Sequence, residues 1–328
     1  WGERLWRLRR EARRFARLGA DGLPPAERRD RNRALFEGAL RESGIEAPVS
    51  FLDHHTAHAA SVYLTCPWDP CLVVTADANG DGRCASVHIG REGRLEPVSS
   101  TPSLHSPARV YGAMTKFLGY AINRHEGKVT GLAAFGDPES GSGPFRDLMD
   151  LDEGGLQFRN RVLERTGTDR DGLAKGAYYR RLLQGALYGG GTSGILRHLE
   201  RTADGIEPQD LAAGLQTRIE EVVVRYVAAA LARTGMADVA LAGGLFANVK
   251  LNQRIAEIPG VAHVGVHPNM GDGGTALGAA LLLHRRSRPD APRLRLDHVF
   301  LGPEHAEAEA EAALRGAGLR FERPADLA

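Results

Sequence analysis

Val239-Ala240-Leu241-Ala242-Gly243-Gly244-Leu245-Phe246-Ala247-Asn248 carries the clearest fold signal in the chain. Four apolar residues make a strand of the buried type, the glycine pair ends it, and a helical pattern follows. Upstream, apolar residues recur with helical period from Leu211 through Leu215, Ile219 and Tyr226, and Gly235 closes the run. Helix, strand, glycine turn and helix in succession form an α/β unit, a class in which ligands bind beyond the carboxyl ends of the strands. On spacing alone, Gly243 and Gly244 serve a tight turn or a nucleotide contact equally well.

The pattern repeats outward from there. Ala262 to Val266 reads as another strand, leading through His267-Pro268-Asn269-Met270-Gly271-Asp272-Gly273-Gly274 into an apolar helix from Thr275 to Leu283. Asp272 thus stands at a strand end before a helix, as a cap or as a metal ligand. Towards the N-terminus, Cys71 to Ala76 is a continuous apolar run ending in Asp77-Ala78-Asn79-Gly80-Asp81-Gly82, where a cation-holding turn and a plain hairpin turn fit equally. Before it comes Asp53-His54-His55-Thr56-Ala57-His58-Ala59-Ala60-Ser61, at a strand-to-helix turn. His54 and His58 are spaced i, i+4, so one helix face brings both imidazoles to a single ion, although solvated or core histidines show this spacing more often. The general-base glutamate of a zinc-protease helix is missing, because position 55 is His.

Other segments exclude more than they assign. Lys128 lies among glycines from Arg124 to Gly136, but Val129 directly after it breaks the Walker spacing and argues against a P-loop enzyme. Residues 137–205, rich in Gly, Arg and Asp, read as a variable insertion. The first 47 residues read as an arginine-rich helical segment packed on the domain, with helices over 3–18 and from Pro24-Pro25 to Gly44. A net charge of +1 argues against nucleic acid as a partner. No apolar run reaches the roughly 20 residues of a membrane helix. Three cysteines without CxxC spacing suit a reducing compartment, and the reading is cytoplasmic. The chain opens at Trp1 and stops at Ala328, and both ends read as cut from something longer.

Taken in order, DHHTAHAAS (53–61), DANGDG (77–82), HEGKVTGLAAFG (125–136), LAGGLFANVKLNQRI (241–255) and HPNMGDGGTALGAAL (267–281) resemble the NodU/CmcH O-carbamoyltransferases. The resemblance implies an α/β fold of the acetate-kinase/Hsp70/actin (ASKHA) type, a duplicated βα domain lacking its first strands here. It spans 48–297, with 298–328 as linker and start of a truncated YrdC-like domain. The implied reaction moves a carbamoyl group from carbamoyl adenylate, made from carbamoyl phosphate and ATP, to a hydroxyl of a small-molecule or sugar acceptor. Antibiotic or nodulation-factor biosynthesis is the implied setting.

Family metal ligands, iron(II) in the resemblance, map onto His54, His58, Asp77 and Asp272. Nucleotide contacts are expected from Lys128, Gly243, Gly244, Asn248, Gly273 and Gly274. The family base is expected to precede residue 1, and neither His55 nor His125 is assigned to that role. One departure is Ala78, where the family usually has glycine. A tRNA threonylcarbamoyl transferase and an inactive nucleotide- or metal-binding scaffold are the alternatives, and a homodimer is left open.

Overall fold

The computed structural model describes residues 25–168 and 190–323, so the helix expected over 3–18 lies outside the described residues. In chain order, α1 (Pro25–Glu42) and α2 (His54–Tyr63) precede β1 (Cys71–Gly80), β2 (Arg83–Arg91) and β3 (Arg94–Pro102). Then come α3 (Pro107–Phe117) and α4 (Glu126–Leu132), a short hairpin (Asp150–Leu151 with Phe158–Arg159), and helices Arg161–Thr168 and Gly190–Thr202. The long α5 (Pro208–Thr234), β4 (Asp238–Ala242), α6 (Val249–Ala256), β5 (His263–Val266) and α7 (Asp272–Ser287) follow.

These strands form one sheet in the order β3-β2-β1-β4-β5. β1 pairs antiparallel with β2 and parallel with β4, and β5 is parallel to β4. This mixed sheet, covered by helices, is an α/β architecture, the class that the sequence implied. Both faces of β1 are covered, which is why Cys71 to Ala76 reads as an unbroken apolar run rather than an alternating one. Leu72, Val74 and Ala76 point to the larger core, with α3 and α5. Cys71 and Val73 point the other way, to a smaller cluster with Ala59, Ala60 and Tyr63 of α2.

Local chemistry sets the boundaries as the sequence suggests. α5 begins with a proline in its first turn and ends at Gly235, whose left-handed φ of 68° lets its N–H reach the Leu231 carbonyl at 2.8 Å. Within 137–205, Phe145, Leu148, Met149, Phe158, Ile195 and Leu199 are all fully or almost fully buried in the larger core. The described parts of that segment are therefore built into the domain, not looped out from it. A separate unit, Arg295–Ala328, contains one described helix, α8 (Glu307–Gly316), with Glu307 and Glu309 in its first turn and Arg315 in its last, the favourable sense of the helix dipole.

Candidate metal centre

Asp53 caps α2, accepting from the Thr56 backbone N–H at 2.9 Å, and Asp81 takes the His54 N–H at 2.8 Å. With the helix start fixed from both sides, His54 and His58 project from one face towards the end of β1. There the register of β1 against β2 shifts between Ala76 and Gly80. Asp77 sits in this irregularity, its Oδ1 accepting from the Ala78 N–H at 2.6 Å and its carbonyl from Ser106 Oγ at 2.9 Å. The hairpin turn itself is Asp81-Gly82, both with positive φ, as a two-residue turn of the I′ kind requires. The DANGDG stretch therefore holds a turn at its tip and a positioned carboxylate at its base.

Asp272 arrives from across the cluster as the first residue of α7. Among the described residues, His54, His58, Asp77 and Asp272 each offer one ligand atom, and these atoms all lie within 4.8 Å of one another. The two Nε2 atoms are 3.1 Å apart. Asp77 Oδ2 is 3.4 Å from His54 Nε2 and 3.3 Å from His58 Nε2, and Asp272 Oδ1 is 3.5 Å from each. The His58 side chain is fully buried, whereas that of Asp272 is 76% exposed, so the cluster opens to solvent on the α7 side.

The electrostatics favour a positive charge at this point. Burial alone would raise Asp77, but His54 and His58 outweigh it and hold the carboxyl well below the usual range. Burial likewise opposes charge on His58, yet Asp272 and Asp77 overcome it and raise its pKa. Two imidazole nitrogens and two carboxylate oxygens converging in this way suit a divalent transition metal, iron(II), manganese or zinc among them.

The other expected residues divide. Gly243, with φ 105°, packs against the backbone of Ala76 and donates its N–H to the Met270 carbonyl at 2.7 Å. A Cβ on Gly244 would stand 3.2 Å from Asp77 Oδ1. This pair thus ties the end of β4 to Asp77 and to the loop before α7. Gly273 and Gly274 lie in the first turn of α7 against Asn269. Asn248 caps α6 through the Leu251 N–H at 3.1 Å and exchanges side-chain hydrogen bonds with the buried Gln216. Lys128 sits 5.4 Å over the Tyr120 ring. Neither Lys128 nor Asn248 is among the four clustered groups. His125, whose Nδ1 accepts from the Ala121 N–H at 3.2 Å, closes the turn before α4.

Three contributors escaped the sequence reading. Ser106, which caps α3 and holds the Asp77 carbonyl, had only the generic signal of Ser before Pro at a helix start. Gly80 is the seat of the His54 ring, with no space for a side chain there. Asp81 lay inside a quoted motif but was not singled out, although its carboxylate meets the start of α2.

A family model described as carbamoyltransferase N-terminus matches residues 31–281. Nodulation protein NolNO of Sinorhizobium fredii is 30% identical over 310 residues, covering 90% of this chain and 41% of that protein. Nodulation protein NolO of Bradyrhizobium diazoefficiens is 28% identical over 264 residues, covering 79% and 43% respectively. The chain thus spans about two fifths of the length of these relatives. The crystal structure of HypF from T. kodakarensis aligns at a TM-score of 0.45 and 15% identity, over 79% of this chain and 39% of that one.

Proposed function

Because the chain belongs to the carbamoyltransferase N-terminus family, we propose that it carries the group-transfer site of an O-carbamoyltransferase. In the reaction, the acceptor hydroxyl oxygen attacks the carbamoyl carbon of carbamoyl adenylate. The bond from that carbon to the phosphate oxygen breaks, and a carbamate ester, AMP and a proton are released. An adenylating YrdC-like partner domain supplies the donor from carbamoyl phosphate and ATP.

The convergence of His54, His58, Asp77 and Asp272 is the observation that carries this reading, because it supplies a cation site where phosphate and carbonyl charge develop. The residues fit a bound metal: two imidazole nitrogens lie 3.1 Å apart in a pocket whose carboxylates favour positive charge. When bound, such an ion, iron(II) by family resemblance, supplies Lewis-acid stabilisation of oxygen charge. Asp77 and His58, both shielded from solvent, hold fixed positions without reorganisation. Exposed Asp272 marks the side from which substrate enters. The N-terminus of α7 beside it presents the positive end of a helix dipole to an anionic donor. The nucleotide is placed beyond the carboxyl ends of the strands, where Gly243 and Gly244 seat the end of β4 against Ala76 and Asp77. Lys128 contributes positive charge towards the phosphates from α4, and Asn248, Gly273 and Gly274 complete the nucleotide contacts.

The test is to supply the protein that contains this chain with carbamoyl phosphate, ATP and a panel of polyhydroxy acceptors. AMP and a carbamate ester are expected, and both should fall at least a hundredfold in the His54→Ala, His58→Ala double variant. Undiminished transfer in that variant would remove the four residues from the chemistry.

A further inference from the structure

His55, between the two ligand histidines in sequence, turns its ring into the sheet. Its Nδ1 is 2.8 Å from Thr75 Oγ1. Thr75 Oγ1 is 2.6 Å from the Oγ of Ser86, its cross-strand partner on β2, and Ser86 Oγ is 3.5 Å from His88 Nδ1. All four side chains are buried. Polar groups beside the apolar layer that holds Val73, Ala59 and Ala60 carry a desolvation cost unless they bond. His55 Nδ1, Thr75 Oγ1 and Ser86 Oγ bond to one another, whereas the contact to His88 is long and His55 Nε2 is buried without a hydrogen-bond partner among the described residues.

The placement of this chain ties it to the metal centre. His55 adjoins ligand His54 on α2, and Thr75 lies two residues before ligand Asp77 on β1. One helix therefore carries two ligands and an anchor, and one strand carries a third ligand and the matching anchor. A ligating imidazole is usually oriented by a hydrogen bond from its second ring nitrogen. The Nδ1 of His58 is buried with no hydrogen-bond partner among the described residues. The aim of its ring is therefore set by how α2 is rotated and seated on the sheet.

We propose that the chain His55–Thr75–Ser86–His88 is the positioning device of the metal centre, locking α2 on β1 so that His54 and His58 meet Asp77. The inference rests on reading the four residues as a metal centre. Thr75 is the keystone: its single hydroxyl joins the helix anchor to the second strand. His55, Thr75, Ser86 and His88 are positioning residues, acting through the orientation of the ligands.

Cobalt(II) titration of the metal-free protein tests this, followed by visible d–d absorption and calorimetry below the unfolding temperature. Thr75→Val should weaken cobalt binding about ten- to a hundredfold and change the d–d bands, the range seen when outer-shell partners are lost. Thr75→Ser, which keeps the hydroxyl, should return affinity to within about threefold of wild type, as expected when the hydrogen bond and not the methyl matters. A merely structural hydroxyl would lower the melting temperature and leave both readouts unchanged. If Thr75→Val does not fold, Ser86→Ala makes the same comparison by removing the next link. Wild-type affinity and spectrum in the folded Thr75→Val protein, or equal loss in Thr75→Ser, would overturn the positioning role while leaving the centre standing. A wild-type chain that takes up no cobalt would overturn the centre itself and this inference with it.

Discussion

Gly278 of α7 lies against the backbone carbonyl of Ala57 on α2, with no room between them for a Cβ. This approach brings the two helices together, and the first residue of α7, Asp272, reaches 3.5 Å from both His54 and His58. Replacing Gly278 by Val forces the helices apart, at an overpacking cost of about 1–3 kcal/mol. Any gain in helix propensity from removing glycine, about 1 kcal/mol or less, does not offset it. The expected outcome is a lower melting temperature and at least tenfold weaker metal binding. Gly127→Ala, where nothing lies within 4 Å of the added carbon, should leave metal binding unchanged. Thermal melts paired with metal titration check both variants.

Gly80 predicts a separation of binding from stability. A methyl at this position occupies the space of the His54 ring. That side chain is 21% exposed, so the ring can swing outwards. Gly80→Ala should therefore keep a near-wild-type unfolding midpoint while losing at least tenfold in metal affinity. Equal affinity in the two proteins would show that His54 is not a ligand.

His88 makes stability depend on pH. Burial lowers its pKa from 6.5 to about 4, so the folded protein keeps it neutral where the unfolded chain protonates it. The unfolded state binds more protons below pH 6.5, so this contribution is fully present above that value and is lost as pH falls towards 4. Between pH 7 and 5 the expected loss is up to about 2 kcal/mol, from 1.36 kcal/mol per pH unit. Urea unfolding of wild type and His88→Gln at the two pH values measures it. The variant should show a smaller difference between them, and an identical difference would remove His88 as the cause.

Much of the site was legible in the sequence. The i, i+4 spacing of His54 and His58 and the strand-end positions of Asp77 and Asp272 left a metal ligand and a plainer role both open, and the resemblance to the carbamoyltransferases is what grouped the four. What closes the site was not legible, because it depends on contacts remote in sequence. Gly80 and Gly278 look like ordinary turn and helix glycines until His54 and Ala57 are set against them. Thr75 and Ser86 look like unremarkable strand residues until the sheet pairs them beneath His55. The buried residues Phe145, Leu148, Met149 and Phe158 were hidden for another reason: they sit on or beside elements of two or three residues, too short for a period to show. The motif at 77–82 kept two readings open; the structure puts the turn at Asp81-Gly82, and the register shift before Gly80 sets Asp77 apart from it.

The chemistry proposed for this site requires that His54, His58, Asp77 and Asp272 hold one divalent ion. Anomalous diffraction from crystals grown with iron(II) or cobalt(II), collected on both sides of the metal's absorption edge, tests it most directly. One strong peak per chain is expected, about 2.0–2.2 Å from the two Nε2 atoms and from an oxygen of each carboxylate. A metal-loaded crystal with no peak between these residues, or with its only peak elsewhere, would contradict it.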